Sequence, residues 1–104
     1  MTIATDALKK AYELVGGDRA NTHGDKLRNH ENIARLQNAF RYNRPNPAAP
    51  LTASETALMM CLLKIARTQL GKHNPDDFID LMGYGAVALE CRELEMTGPC
   101  EDRR

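Results

Sequence analysis

The apolar residues of this 104-residue chain recur at helical spacing from its first segment onward. In TDALKKAYELV, residues 5–15, the apolar positions form one stripe: Leu8, Ala11, Leu14 and Val15. A repeat of three to four residues places such positions on one face of a helix. Thr5 is placed to cap this helix, and a Gly-Gly pair at 16–17 to end it. The pattern predicts an amphipathic first helix followed by a polar loop.

The second helical pattern is DKLRNHENIARLQNAF, residues 25–40, and Asp25 is a suitable cap for it. Its apolar positions again follow the helical period: Leu27, Ile33, Leu36, Ala39 and Phe40. The segment RYNRPNPAAP then carries three prolines, at positions 45, 47 and 50. Proline lacks the backbone N–H that a helix interior needs, so this segment is predicted to be a stiff connector.

The third pattern, TASETALMMCLLKIARTQL, is apolar on nearly all sides. Thr52 and Glu55 have the spacing of a capping box, and Gly71 is placed to end the helix. Between residues 57 and 66 the single charge is Lys64. A helix without a polar face is typical of a central, buried position, so this helix is predicted to lie in the middle of the fold.

The fourth helix is predicted to begin with Asn74 as cap and Pro75 in the first position, and to run to about Glu95. Gly83 and Gly85 inside it cost roughly 1 kcal/mol each relative to alanine. We expect close approach of another helix or of a ligand around Tyr84 to offset this cost. With no convincing strand pattern, the chain is predicted to be all-α, a four-helix bundle over residues 1–96 with a flexible tail at 97–104.

Composition and charge agree with one small folded domain. The chain is 42% hydrophobic and 27% charged, and its lack of Trp leaves an aliphatic core that favours packed helices over a sheet. Lys plus Arg equals Asp plus Glu at 14 each, so no net field attracts nucleic acid or an acidic membrane surface. Three cysteines without metal-ligand spacing, no signal peptide and no apolar run of about 20 residues indicate a cytoplasmic protein.

Short connections between helices predict antiparallel neighbours. The front of the fourth helix, with Asp77 and Asp80, should then face the end of the third helix, with Lys64 and Arg67. If the second helix is also antiparallel to the third, its front lies at the same end of the bundle. We refer to this end as the polar pole. Its predicted members on the second helix and the preceding loop are Asp18, Arg19, His23, Asp25, Asn29, His30 and Glu31.

The opposite end of the bundle should contain Glu55, expected to lie nearer Glu90 than Asp77. Two interpretations of the polar pole remain open at this point. Asp77 can be an acid that stabilises a helix start, and Asp80 can simply balance a buried cation. Alternatively, carboxylates at i and i+3 with a third acid form an oxygen site suited to Mg²⁺ or Mn²⁺, beside cations that bind phosphates.

The segments GDRANTHGD, NHENIARL, ALMMCLLKIAR and DDFIDLMGYGAVALE, taken in this order, resemble a small phage and prophage domain of unknown function. That domain is placed near the MazG-like, all-α nucleoside triphosphate pyrophosphohydrolases, and the resemblance covers about residues 7–93. It implies an oligomeric helical fold in which helix-borne acids hold Mg²⁺ and a nucleotide is split between its α and β phosphates. Asp77 and Asp80 match the ExxD motif of that class with Asp for Glu. The EExxE motif is absent, and Glu55 is the only acid where it should lie.

The resemblance and the polar pole together predict a nucleotide-binding, phage-type protein that assembles as a homodimer or larger homo-oligomer and binds neither membrane nor nucleic acid. Whether it is also a Mg²⁺-dependent pyrophosphohydrolase is left open. The residues expected to act are Asp77, Asp80 and Lys64 in catalysis, Asp77, Asp80 and Glu31 on Mg²⁺ or Mn²⁺, and Arg19, His23, Asn29, His30, Arg67 and Tyr84 on the nucleotide. The alternatives are a non-catalytic binder of a nucleotide or cyclic nucleotide signal, and a helical protein-interaction module.

Overall fold

The computed structural model describes residues 2–16 and 25–97, which form four α-helices. These are α1 (Ile3–Gly16), α2 (Lys26–Tyr42), α3 (Ala53–Gln69) and α4 (Pro75–Met96). The described ranges contain no strand, so the all-α prediction is confirmed. The predicted tail beyond residue 97 lies outside the described residues, as do Arg19 and His23.

Helix α3 is the centre of the packing, because it contacts both α4 and α2. The buried apolar residues are small: Ala57, Cys61 and Ala66 on α3, and Ala88 on α4. Small side chains at a contact allow two helix axes to approach closely. The predicted central position of this helix is confirmed, although the core that it forms is thin.

Three of the four predicted helix starts are confirmed in atomic detail. The Thr52 hydroxyl accepts from the Glu55 amide while the Glu55 carboxylate accepts from the Thr52 amide, completing the capping box. The Asn74 side chain accepts from the backbone N–H of residue 76 at 3.0 Å, with proline in the first position of α4. The Asp25 carboxylate accepts from the backbone N–H of residue 28 at 3.1 Å. Local hydrogen-bonding chemistry therefore sets these boundaries.

The predicted cap of α1 was wrong. The helix begins at Ile3, and Thr5 lies inside its first turn. The Thr2 hydroxyl accepts from the Thr5 amide at 3.1 Å, and the Thr5 hydroxyl accepts from the Thr2 amide at 3.0 Å. Since the earlier threonine offers the same capping oxygen one turn upstream, the helix gains a turn.

The described side chains in the apolar stripe of α1, at residues 8–14, are not packed against the other described helices. Leu8 is 70% exposed and Leu14 is 47% exposed. Every side chain described from Thr2 to Leu14 is exposed. The expectation of four mutually packed helices is therefore not met: α2, α3 and α4 pack together, and α1 presents an uncovered apolar face.

Helix α2 runs antiparallel to α3, as predicted. The Asn32 amide donates to the Gln69 side chain at 2.8 Å, and the Gln37 amide donates to the Met59 carbonyl at 3.2 Å. Ascending numbers on α2 therefore meet descending numbers on α3. The proline connector that follows is held by Arg44. Its guanidinium donates to five oxygens: the Pro47, Ala49 and Pro50 carbonyls and both carboxylate oxygens of Glu55.

Within the described residues, no helix has both the length and the apolar character that crossing a membrane requires.

Candidate functional site: the polar pole

Two ion pairs join α3 to α4 at the polar pole. Arg67 Nε lies 3.0 Å from Asp77 Oδ1, and Lys64 Nζ lies 3.0 Å from Asp80 Oδ2. Each helix contributes residues spaced by three, so the two pairs lie one turn apart along the contact. The antiparallel arrangement of these four residues, predicted from the short connection between the helices, is confirmed.

The two pairs differ in their exposure to solvent. The Asp77 side chain is 4% exposed and that of Arg67 is 26% exposed. The Asp80 side chain, by contrast, is 47% exposed, opposite a Lys64 that is 13% exposed. A buried carboxylate without a countercharge is strongly unfavourable, and Arg67 supplies that countercharge for Asp77. The inner pair is thus a structural requirement of the helix contact, whereas the carboxylate of the outer pair remains open to solvent.

The first turns of α2 reach the same end of the molecule. The Asn32–Gln69 hydrogen bond connects them to the last turn of α3. His30 is exposed, and its Nδ1 donates to the Lys26 carbonyl at 2.7 Å, because a carbonyl oxygen can only accept. Asn29 is half-buried there. The predicted convergence of α2, α3 and α4 at one pole is therefore confirmed for the residues that the structure describes.

Glu31, predicted as a third metal ligand, points elsewhere in this chain. Its carboxylate lies 3.7 Å from the guanidinium of Arg35 on the same helix, and its side chain is 52% exposed. Among the described residues, no group of three His, Cys, Asp or Glu side chains is placed to hold a metal ion. Asp77 and Asp80 also each face a cation. The described residues of one chain therefore do not fit the Mg²⁺ site that the MazG-like resemblance implies.

Tyr84 is half-buried on α4 between two glycines. A Cβ atom added at Gly83 or Gly85 would meet no heavy atom within 4 Å in the described part of the chain. The close approach expected around these glycines is therefore not made by another helix among the described residues. The positions that a Cβ atom would take at these two glycines are open there.

A second polar cluster lies at the opposite end of the α3–α4 pair. The Glu95 carboxylate accepts from the backbone N–H of Ser54 at 2.9 Å and from its hydroxyl at 2.7 Å. Arg92 Nε donates to the same hydroxyl at 3.1 Å. Ser54 is 1% exposed. Glu95 thereby supplies a hydrogen-bond acceptor to the first turn of α3 from a different helix.

Glu55 lies at this end as predicted, far along the α3–α4 pair from Asp77. Its charge acts on Glu95, and Glu95 reaches the first turn of α3 because α4 extends to Met96.

Both acids at this end are held in their charged form. The backbone N–H of Thr52, together with Arg44, lowers the pKa of Glu55 below its ordinary value of 4.5. The backbone N–H of Ser54, followed by its hydroxyl, lowers the pKa of Glu95 below the same value. Hydrogen bonds donated to a carboxylate favour its ionised form. Hydrogen-bond donors and cations therefore satisfy both carboxylates at this end, so we interpret these acids as structural.

Sequence reasoning missed the residues that organise this end: Arg44, Ser54, Arg92 and Glu95. The sequence contains one signal from which Ser54 and Glu95 could have been predicted. A serine two residues after the Thr52 cap, in an otherwise apolar helix, requires a polar partner, and an antiparallel neighbour supplies one from its last turn. The connector arginine has no comparable signal, because its carbonyl partners become defined only when the proline segment is folded.

These features define a small all-α protein with a central helix and a charge-paired pole. The family described as domain of unknown function DUF6378 matches residues 6–92, and the chain belongs to that family. The chain is similar to the Gene 55 protein of Mycobacterium phage L5, with 38% identity over 87 residues that cover 84% of this chain and 52% of that protein. It thus spans about half the length of that relative. No solved structure matches the chain significantly. The expected phage domain of unknown function is confirmed, while the MazG-like relationship stays a prediction.

Proposed function

We propose that this phage-type domain binds a nucleotide at the polar pole. The observation that supports the proposal is that α2, α3 and α4 reach the same end of the molecule, where α3 carries the cations Lys64 and Arg67. Lys64 and Arg67 offer N–H donors for phosphate oxygens. The proposal keeps Asn29, His30 and Tyr84 as the contacts to base or sugar.

The outer ion pair is the point at which phosphate can enter. Because the Asp80 carboxylate is half exposed, a phosphate oxygen can replace it beside Lys64 without uncovering a buried charge. Replacing Asp77 beside Arg67 would leave a buried carboxylate alone, at a much higher cost. Lys64 is therefore proposed as the principal phosphate contact, and Asp80 as the group that a phosphate displaces.

The proposal includes a MazG-like relationship and assembly as a homo-oligomer, but it places no hydrolytic step in a single chain. Two cations neutralise the two acids of the ExxD-like pair, and no third acid joins them among the described residues. Such a pole suits metal-independent sequestration of a nucleotide or of a cyclic nucleotide signal. Pyrophosphate release is kept as a separate measurement, because acids from another copy would change this charge balance.

Calorimetric titration with ribo-, deoxyribo- and cyclic nucleotides, with and without Mg²⁺, tests the proposal. The informative variant is the charge swap Lys64→Asp with Asp80→Lys, which keeps an ion pair across the same helix contact. We expect the swap to weaken binding at least tenfold while the unfolding free energy changes by no more than about 1 kcal/mol. Glu93→Gln, an exposed change at the other end of α4, is the control and should bind as wild type. Absence of binding by every nucleotide would refute the proposal.

A second candidate, a helical protein-interaction module, is favoured by the amount of uncovered apolar surface. Exposed large hydrophobic residues lie on both α1 and α4, including Tyr12 at 80% and Met82 at 67%. In this interpretation the polar pole is only a pair of salt bridges. Replacing Asp77 and Asp80 by Asn separates the two candidates. If the variant is less stable than the wild type and neither protein binds a nucleotide, the result favours the interaction module.

A further inference from the structure

Helix α4 packs against α3 with one side and has an apolar stripe on the other. Asp77 is buried on the side that pairs with α3. Residues two positions apart lie about 200° apart around a helix, so Ile79 is on the opposite side. There Ile79 is 58% exposed, Met82 is 67% exposed and Leu89 is 62% exposed, and Ala86 between the last two is also exposed. These four residues recur at spacings of three, four and three, and we name them the outer face of α4.

Two glycines border the outer face, one on each side. Gly83 follows Ile79 by four residues and Gly85 follows Met82 by three, so each lies beside the stripe on the helix surface. A Cβ atom added at either glycine would meet no heavy atom within 4 Å among the described residues. Glycine is less favourable than alanine in a helix interior, and no described residue needs the space that these two leave. Such positions allow the backbone of another helix to approach closely.

The charges of α4 are strongly one-sided. The helix contains six acids and a single cation, Arg92. Three of the acids are paired with Arg67, Lys64 and Arg92. The other three acids are exposed and form no ion pair with any described cation: Asp76, Glu90 and Glu93. The solvent-facing part of α4 therefore has an uncompensated negative charge, although the whole chain has a formal net charge of +0.

The three uncompensated acids lie around the outer face. Asp76 is three residues before the first apolar position of the stripe, and Glu93 is four residues after the last one. Glu90 is four residues after Ala86. Residues at these spacings are neighbours on a helix surface, so acids stand at both ends of the apolar stripe. A surface that is apolar in its centre and acidic at its ends is complementary to a helix with an apolar stripe and cations.

We propose that the outer face of α4 binds an amphipathic helix of another protein whose apolar stripe is bordered by lysine or arginine. The apolar residues of the two helices are then buried together, the glycines allow the two helix axes to approach, and the partner's cations lie beside the acids. This proposal does not rest on nucleotide binding at the polar pole. It gives the protein-interaction module a binding face and a class of partner.

The described helices of this chain lack the charge pattern that the outer face requires. Helix α1 has an uncovered apolar side, but its charges are balanced, with two acids and two lysines: Asp6, Glu13, Lys9 and Lys10. A second copy of α4 would bring acids opposite acids in either orientation, because both ends of the stripe are acidic. Like charges placed together at an interface are unfavourable. The charge pattern therefore favours a basic helix from a different protein.

A designed peptide tests the charge requirement. Asp76 to Glu93 extends over about 26 Å, so a helical peptide of about 18 residues covers the outer face and its acids. The probe has leucines at helical spacing with lysines on both sides of them, and the matched peptide has glutamates in place of the lysines. Fluorescence anisotropy with the full chain measures both affinities. We expect the lysine peptide to bind at least tenfold more tightly than the glutamate peptide. No binding of the lysine peptide, or equal affinity of the two, would overturn the proposal.

The glycines provide a variant in which stability and binding should change in opposite directions. Gly83→Ala with Gly85→Ala should raise the midpoint of urea unfolding, because alanine favours the helix and its Cβ has room in the free chain. The same variant should bind the lysine peptide about tenfold more weakly, since the two helix axes are kept further apart. Weaker binding by a more stable chain is not explained by unfolding. Unchanged affinity would show that the peptide binds elsewhere and would refute the proposal.

Neutralising the three acids tests the ends of the stripe. The triple variant Asp76→Asn, Glu90→Gln and Glu93→Gln should lose most of its preference for the lysine peptide. The control is Asp6→Asn with Glu13→Gln, which neutralises two exposed acids on α1 and should bind as wild type. A control that loses the preference as fully as the triple variant would show that overall charge, and not this surface, attracts the peptide.

Sedimentation velocity of the chain without peptide tests the other occupant, a second copy. We expect Met82→Gln to weaken peptide binding about tenfold and to leave the sedimentation coefficient unchanged. If the wild type is a dimer that Met82→Gln dissociates, a second copy covers the outer face and the proposal is wrong.

Discussion

The two ion pairs of the polar pole have equal distances but unequal burial, which makes a direct test of what burial does. We predict that Arg67→Met lowers the free energy of unfolding by about 3 kcal/mol, because it leaves the Asp77 carboxylate, 4% exposed, without its countercharge. The estimate takes the low end of the usual 3–5 kcal/mol because Arg67 itself is 26% exposed. Lys64→Met should cost no more than about 1 kcal/mol, because water solvates the half-exposed Asp80 in the variant. Methionine keeps most of the aliphatic stem in both cases, so the packing loss is similar.

Urea unfolding followed by circular dichroism measures both effects at one fixed protein concentration. With a slope of about 1.5 kcal/mol per molar urea, Arg67→Met should lower the midpoint by about 2 M and Lys64→Met by less than 1 M. A third variant, Arg67→Met with Asp77→Leu, removes the buried charge together with its partner and should recover at least half of the loss. Equal costs for the two single variants, or no recovery in the double variant, would show that burial does not govern these pairs.

Three further predictions concern the core and the end of the α3–α4 pair that lies opposite the polar pole. Glu95→Gln should destabilise the chain at neutral pH, and its midpoint in urea should depend less on pH in acid. The hydrogen bonds that lower the pKa of Glu95 below 4.5 stabilise the fold above that pH, and this stability is lost as the pH falls through the lowered folded value. Thr52→Ala should cost about 1 kcal/mol in the same urea assay by removing half of the capping box. In a Cys100→Ser background, Cys61 should alkylate much more slowly than the half-buried Cys91 in the native state and equally fast in urea, because burial raises the pKa of the Cys61 thiol.

Much of the local structure could be predicted from the sequence because it depends on near neighbours. The caps at Asp25, Thr52 and Asn74 form between residues two or three apart, and all three are confirmed. The helical period and short connections were sufficient to predict that α4 packs antiparallel on α3. That arrangement correctly placed Asp77 and Asp80 opposite Lys64 and Arg67.

Other features required the tertiary structure because they depend on register and rotation between helices. Only the packed α3–α4 pair shows that Asp77 is buried while Asp80, one turn later, is half exposed. The same packing brings Glu95 to the first turn of α3, a contact across 41 residues that no local pattern indicates. Which cation pairs with which acid was decided there too, Arg67 with Asp77 and Lys64 with Asp80.

The sequence by itself determined the four helices that the described residues form, where three of them begin, and which charged residues meet at one pole. Helical periodicity and helix capping depend on residues a few positions apart, so short segments of the sequence are enough to predict them. The tertiary structure decided which of those charges are buried and which apolar faces find a cover. An amphipathic pattern predicts that the apolar face of a helix is covered, but it does not indicate which part of the structure covers that face. For the apolar side of α1, and for Ile79, Met82 and Leu89 on α4, the other described residues do not supply that cover.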